Sequence, residues 1–213
     1  AWTESSIRAL RVRAFRTRSL WWREPGGPPI YLAALIFDPH VSDEQAFAEL
    51  SRVHTAWGPV PISLYDCFAT RDLSVLGYKR LFRTPWYLRP AAPIAPAAPP
   101  AGLSIEVVTT SDQLADFEQA TCLGFEIAET DLPARFGLHA EATLEDPGMY
   151  YLNARLGGEV VASTIAYVTE DQLGIYGMST LPRFRRRGYG TALVHAAVAS
   201  RPDLPASGAP DPP

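Results

Sequence analysis

The spacing of hydrophobic positions divides the chain into two runs of short elements with a proline-dense stretch between them. Over positions 5 to 22 a helical period puts Ile7, Leu10, Ala14 and Phe15 on one side and Arg8, Arg11, Arg13, Arg16 and Arg18 around the other. Glu24-Pro25-Gly26-Gly27-Pro28-Pro29 interrupts it. Ile30 to Phe37 is almost continuously apolar, which predicts a strand buried on both faces. A helix follows from Ser42, with Gln45 in capping-box spacing and Phe47, Leu50, Val53 and His54 on its inner face, and Trp57-Gly58-Pro59 stops it. Val60 to Phe68 predicts a second strand, Thr70 to Gly77 a short helix and turn, and Leu81 to Leu88 a third strand.

Residues 89 to 102 place Pro90, Pro93, Pro96, Pro99 and Pro100 among alanines, a composition that predicts an extended linker and the first point of proteolytic attack. Beyond it the pattern predicts a strand from Leu103 to Val108, then a helix from Ser111 that carries Leu114, Ala115, Phe117 and Glu118. After Gly124-Phe125 a second short helix is expected near Leu132 to Phe136. Met149 to Leu156 and Val160 to Val168 form a hairpin across Gly157-Gly158, and Gln172 to Ser179 adds an antiparallel strand. The expected organisation is an α/β module over 1–88, a linker over 89–102, a main domain over 103–200 and a Pro-rich disordered tail over 201–213. The main domain is a mixed, mostly antiparallel sheet flanked by helices.

The candidate chemistry lies where the last long strand meets the last helix. Leu173, Ile175, Gly177 and Ser179 alternate with Gly174, Tyr176 and Met178, and Leu181-Pro182 ends the strand. Arg185-Arg186-Arg187-Gly188-Tyr189-Gly190 then opens a helix whose small residues suit close packing on a sheet. Glycines at such a junction let the backbone approach a ligand, and the first N–H groups of a helix point outward with roughly half a positive charge. Strand, glycine loop and helix together suit a phosphate. A basic solvated turn or a nucleic-acid patch is the bland alternative.

Met178-Ser179-Thr180-Leu181-Pro182 followed by Arg185 to Leu193 resembles the acetyl-CoA-binding motif of the GCN5-related N-acetyltransferases, the GNAT family, and the likeness extends over about residues 103 to 199. Arg185, Gly188 and Gly190 fill the fixed positions of its Gln/Arg-x-x-Gly-x-Gly/Ala pattern. The resemblance implies that backbone at Met178, Ser179 and Thr180 pairs with the pantetheine arm of acetyl-CoA, and that Arg185, Arg186, Arg187, Gly188, Tyr189, Gly190 and Thr191 hold its pyrophosphate. It also implies acetyl or acyl transfer from CoA to an amine. Leu73 to Leu81 resembles a later segment of the same family, which suggests that the first module is a degenerate half-domain; an unrelated small α/β module is the alternative. The family continues past Ser200 with a strand, a helix and two more strands, whereas this chain continues with prolines, so an open sheet edge is expected that the first module covers, either from the same chain or from a partner chain in a homodimer.

The reaction class needs a base, a donor for the thioester oxygen and an acid for the sulfur. Gln172 to Gly177 holds no carboxylate. Glu126, Glu129, Glu170 and Asp171 are the acidic candidates by position, with Glu126 named for catalysis beside Tyr176, which either lines the cleft or packs in the core. A non-catalytic acyl-CoA-binding or partner-binding role therefore stays open as the second class. The net charge of −4 in 213 residues argues against nucleic acid as a partner, with Lys79 the only lysine. Cys67 and Cys122 lack metal-ligand spacing, and His40, His54, His139 and His195 form no ligand pair and are expected at surfaces or turns. No metal, no membrane partner and a cytoplasmic location follow as expectations, the amine acceptor being a small molecule or a protein.

Overall fold

The helix expected over 5 to 22 stops early. In the computed structural model, which describes residues 2–28, 30–95, 97–128 and 133–209, α1 spans only Trp2–Ala9. Its end is a left-handed turn at Arg11, φ 59°. There the Val12 N–H donates to the Ile7 carbonyl at 3.0 Å and the Arg11 N–H to the Arg8 carbonyl at 2.9 Å. Glycine usually takes that left-handed position, so with arginine there the stop carries no sequence signature. The chain then pairs with itself as β1 (Ala14–Arg16) and β2 (Leu20–Arg23).

Contacts divide the chain into two units, one of Thr3–Arg83 and one that begins at Thr84 and also takes in Trp2. The first continues with β3 (Ala34–Ile36), α2 (Asp43–Trp57) and β4 (Leu64–Asp66), shorter strands than the apolar runs predict. Ser42 caps α2 as expected, its Oγ accepting from the Gln45 N–H at 3.2 Å, and Gly58 closes the helix. The sheet runs β1-β2-β3-β4. Its first two pairings are antiparallel and the last is parallel. Leu20, Ala34, Ile36, Leu50 and Val53 form its core.

The second unit holds β5 (Tyr87–Arg89), β6 (Leu103–Val107), α3 (Ser111–Gly124), β7 (Met149–Leu156), β8 (Glu159–Val168), β9 (Leu173–Thr180), α4 (Tyr189–Ser200) and β10 (Ala206–Gly208). Its sheet order is β5-β10-β9-β8-β7-β6, the mixed and mostly antiparallel sheet that the pattern predicts. Thr110 and Gln113 close a capping box at the start of α3. Phe117 and Leu114 of α3 pack with Val108, Met149, Tyr151 and Ile165 on one face of the sheet, while Leu193 and Ala197 of α4 pack with Leu103, Leu152 and Val161 on the other. β8, between the two layers, is buried at every residue from Val160 to Ala166.

One topology occurs in each of the two units. β1, β2, β3, α2 and β4 repeat the connectivity of β7, β8, β9, α4 and β10: two antiparallel steps, then a helical crossover to a parallel neighbour.

Two proline-rich segments depart from expectation. The tail enters the sheet, with β10 parallel to β9 and antiparallel to β5. Proline lacks an N–H, but Ala206, Ser207 and Gly208 all retain theirs, Leu204 and Ala206 are buried, and the Pro205 carbonyl accepts from the Leu173 N–H at 2.9 Å. Residues 210–213 lie outside the described residues. The Pro/Ala stretch, in turn, lies against the second unit. The Ala92 N–H reaches the Pro202 carbonyl at 3.1 Å, Ile94 packs on the α4-side core, and the Ala95 carbonyl is 2.8 Å from His195 Nε2. Tyr87 and Leu88, expected in the first module, and Arg89, expected in the linker, form an edge of the second sheet.

The segment after Pro133 is held by Glu118 of α3, whose carboxylate accepts from the N–H groups of Phe136 at 2.7 Å, Leu138 at 2.9 Å and His139 at 2.6 Å. Burial raises the Glu118 pKa, and those three donors oppose the shift. The expected short helix falls partly outside the described residues, and from Pro133 to Ala140 the chain is irregular. His139, expected at the surface, is instead fully buried between the rings of Phe117 and Tyr151.

The connection between the units, not the Pro/Ala stretch, should be cut first. Leu81 is 85% exposed and Phe82 53%, so limited digestion with proteinase K, which can cut after the apolar residues of both stretches, is expected to cleave within residues 79–83 before residues 90–102 are touched, as mass spectrometry of early fragments would reveal. Burial lowers the His139 pKa from 6.5 to about 4. Above pH 6.5 the group costs nothing, and between 6.5 and 4 the unfolded chain takes a proton that the folded chain refuses, so stability falls with pH. The loss is about 3 kcal/mol at most. Urea titrations of His139→Gln should lack this part of the acid dependence, while the opposing contribution of Glu118 remains in both proteins.

Candidate active site

Glycine at position 177 sets the geometry of the site. Ile165 pairs with Tyr176 and Ser163 with Ser179, so β9 carries one more residue than β8 across this interval. That is a β-bulge. Gly177 takes the left-handed conformation it needs, φ 55°, and the Thr164 hydroxyl donates to the Tyr176 carbonyl at 3.1 Å. On the other side of β9, β10 pairs only with Leu173, Gly174 and Ile175. Among the described residues, no strand covers that side from Tyr176 to Thr180.

A cleft of about 620 Å³ opens there. Met178 and Thr180 of the strand form one wall, Gly124 at the end of α3 with Phe125 and Glu126 a second, and Arg185, Arg186 and residues 188–191 the third. Ser179 points elsewhere. Its hydroxyl is buried in a chain with Ser163 at 2.9 Å and, through it, Thr121 at 2.8 Å.

The third wall is the start of α4. Arg186 (φ 62°) and Gly188 (φ 81°), with one residue between them, both adopt left-handed backbone. Gly188 is the N-cap; it supplies no side-chain cap, and the first turn of α4 holds no acid. The first intrahelical bond runs from the Ala192 N–H to the Gly188 carbonyl at 2.9 Å, so the N–H groups of Tyr189, Gly190 and Thr191 belong to the orphan donors of a helix start. The Tyr189 side chain is buried in the core, which leaves its backbone as the part available to the cleft. A Cβ on Gly190 would stand 3.4 Å from Met178 Sδ, so this glycine sets how closely α4 approaches β9.

Among the arginines of the loop, Arg187 lies over the Phe184 ring at 5.6 Å. Arg185 is turned inward to the protein, bonded to Glu126, Gly124 and Thr180. Sequence reasoning gave it a charge for the ligand and missed this engagement. Glu126 lines the cleft in left-handed backbone, φ 61°, its Oε1 2.7 Å from Arg185 Nη1. Tyr176 is not among the lining residues. Its side chain lies back over Gly174 and meets Trp86 edge-on at 6.2 Å, and burial raises its phenol pKa. Glu170 and Asp171 sit in the turn before β9, the Asp171 carboxylate accepting from Thr169, and Glu129 lies outside the described residues. No group of His, Cys, Asp and Glu among the described residues is placed to hold a metal ion, and no described helix is long and apolar enough to cross a membrane.

With this geometry in place, three comparisons bear on the chain. Residues 113–201 match the model of the acetyltransferase (GNAT) family. No curated protein matches the sequence. Among solved structures, the fold is similar to a GCN5-related N-acetyltransferase from Kribbella flavida, with a TM-score of 0.63 at 16% identity over 98% of this chain and 84% of that one. An aminoglycoside acetyltransferase from an uncultured soil metagenomic sample, solved with sisomicin, matches at a TM-score of 0.41 and 18% identity over 49% of this chain and 74% of its own. The ribosomal-protein-S18-alanine N-acetyltransferase from Escherichia coli matches at 0.33 and 18% over 46% and 58%. The family model covers β8, β9, the glycine loop and α4, the elements that build the cleft, so it is these residues, 113–201, that match the acetyltransferase (GNAT) family.

Proposed function

We propose that the second unit is an N-acetyltransferase that takes an acetyl or acyl group from CoA and passes it to an amine. The observation that carries this reading is the uncapped, acid-free start of α4 beside a strand edge without a partner among the described residues. An edge of free N–H and C=O groups suits the amides of a pantetheine arm, and orphan N–H groups at a helix start suit a pyrophosphate. The residues present therefore fit the donor. When bound, acetyl-CoA would supply an acetyl group already activated as a thioester.

The chain's own part is binding, orientation and proton handling. Backbone N–H groups around Met178 to Thr180 would stabilise charge growing on an acyl oxygen. Arg187 adds positive charge next to the phosphate-binding backbone. Of the acidic candidates among the described residues, Glu126 is the one that lines the cleft, which makes it the group to test as acceptor of the amine proton. Its contact with Arg185 and the lack of a carboxylate on β9 favour the second reading, an acyl-CoA-binding protein that does not turn over.

The first unit repeats the topology but not the site. At the start of α2, Asp43 and Glu44 occupy the first turn and Ser42 caps it, so the donors that α4 offers are already engaged or faced by negative charge. Calorimetry with CoA is therefore expected to give one site per chain. Gly188→Val forces a β-branched residue into left-handed backbone and Gly190→Val pushes into Met178, and each should weaken binding by about tenfold or more. Equal affinity in all three proteins would refute the site. Release of CoA thiol from acetyl-CoA with a panel of small-molecule and peptide amines separates the enzyme from the silent binder, and Glu126→Gln should lower the rate without a matching loss of CoA affinity.

A further inference from the structure

Arg185 is the most engaged cation of the cleft. Its Nη2 donates to the Gly124 carbonyl at 2.7 Å, its Nη1 to Glu126 Oε1 at 2.7 Å and its Nε to the Thr180 carbonyl at 3.2 Å. These acceptors stand on different walls: Thr180 ends β9, Gly124 ends α3, and Glu126 begins the segment that leaves α3. A planar guanidinium can serve three acceptors at once because its five N–H groups are fixed in one fork.

The junction it spans is tight and conformationally unusual. A Cβ on Gly124 would lie 2.6 Å from Ser179 Oγ and 3.2 Å from the Thr180 nitrogen, so helix and strand touch here with no room for a methyl group. Two residues on, Glu126 must adopt φ 61°, which costs a residue with a side chain some stability. The Glu126 N–H reaches the Leu123 carbonyl at 3.1 Å and the Ile127 N–H the Cys122 carbonyl at 3.0 Å, closing the turn. Arg185 then holds the Glu126 side chain from across the cleft.

We propose that Arg185 is a positioning residue: it fixes the width of the cleft by tying the end of α3 to the end of β9, it presents Glu126 at the rim, and its charge serves the protein and not the ligand's phosphates. Part of this assignment rests on the cleft's holding CoA, and part does not. Phosphate recognition then falls to the helix start, to Arg186, which lines the cleft, and to Arg187, which does not line it but whose guanidinium rests on the ring of Phe184, a lining residue, and keeps its N–H edge for other partners.

The test uses the full chain with Arg185→Leu, Arg185→Gln and Arg187→Gln. In the free protein, amide hydrogen exchange over residues 121–128 should rise by about tenfold or more in Arg185→Leu and stay unchanged in Arg187→Gln. Arg185→Gln, which keeps a carbonyl-directed donor, should recover part of the protection, and it carries the measurement if Arg185→Leu does not fold. With CoA as probe, the fall in affinity from low to high salt should be the same in Arg185→Gln as in wild type and shallower in Arg187→Gln. Unchanged exchange in both Arg185 variants overturns the clamp, and a shallower salt dependence in Arg185→Gln overturns the division of charge. A wild-type chain that binds no CoA refutes the proposed function and the division of charge together, whereas the exchange result decides the clamp by itself.

Discussion

One extra residue in β9 governs the second unit. A strand in the middle of a sheet must satisfy both its edges, yet a ligand that pairs with backbone needs one edge open. β9 meets both demands in sequence along its length. Up to Ile175 it is paired on both sides, and beyond the bulge at Gly177 it stays paired to β8 while β10 no longer accompanies it. The bulge also changes which side chains face which way. Met178 and Thr180 reach the cleft, and Ser179 turns into the buried hydroxyl chain with Ser163 and Thr121. Those buried hydroxyls would be costly if unpaired, so their network helps to hold α3 and β9 at contact distance.

The first unit is the same wiring closed flush. Each residue of β3 has a partner on β2 and on β4 at once, Ala34 with Trp22 and Leu64, Ile36 with Leu20 and Asp66. No strand edge opens ahead of α2. The loop before that helix is instead tied down by Arg71, a buried side chain whose Nη2 reaches the Val41 carbonyl at 2.7 Å and the Asp38 carbonyl at 3.3 Å. Topology alone therefore does not make a site. The bulge, the glycine loop and the freedom of the helix start do.

Charge in the second unit acts mainly through placement. The Arg185–Glu126 pair, with side chains 45% and 63% exposed, contributes about 1 kcal/mol or less as an ion pair. The bonds from Arg185 to two main-chain carbonyls matter more to geometry, since they fix where two secondary elements end. Glu118 does similar work inside: a buried carboxylate accepting three main-chain N–H groups orders a segment that has no regular structure of its own.

What the sequence determined by itself is whatever rests on local chemistry. Ser42 and Gln45 marked the start of α2, Gly157-Gly158 the hairpin, and Arg185, Gly188 and Gly190 the loop between strand and helix, because caps, turns and glycine conformations depend on residues within a few positions of one another. The tertiary structure decided the rest. Arg11 ends α1 in a conformation usually left to glycine, and Ala206 to Gly208 become a strand only because β9 and β5 offer edges on either side of them. His139 is buried because Glu118, twenty-one residues earlier, draws its backbone inward. Arg185 is legible as a member of the loop, but its partners Gly124 and Glu126 come from about sixty residues upstream. Contacts at such separations leave no period or spacing in the chain, since they depend on where folded elements end and not on the residues beside them.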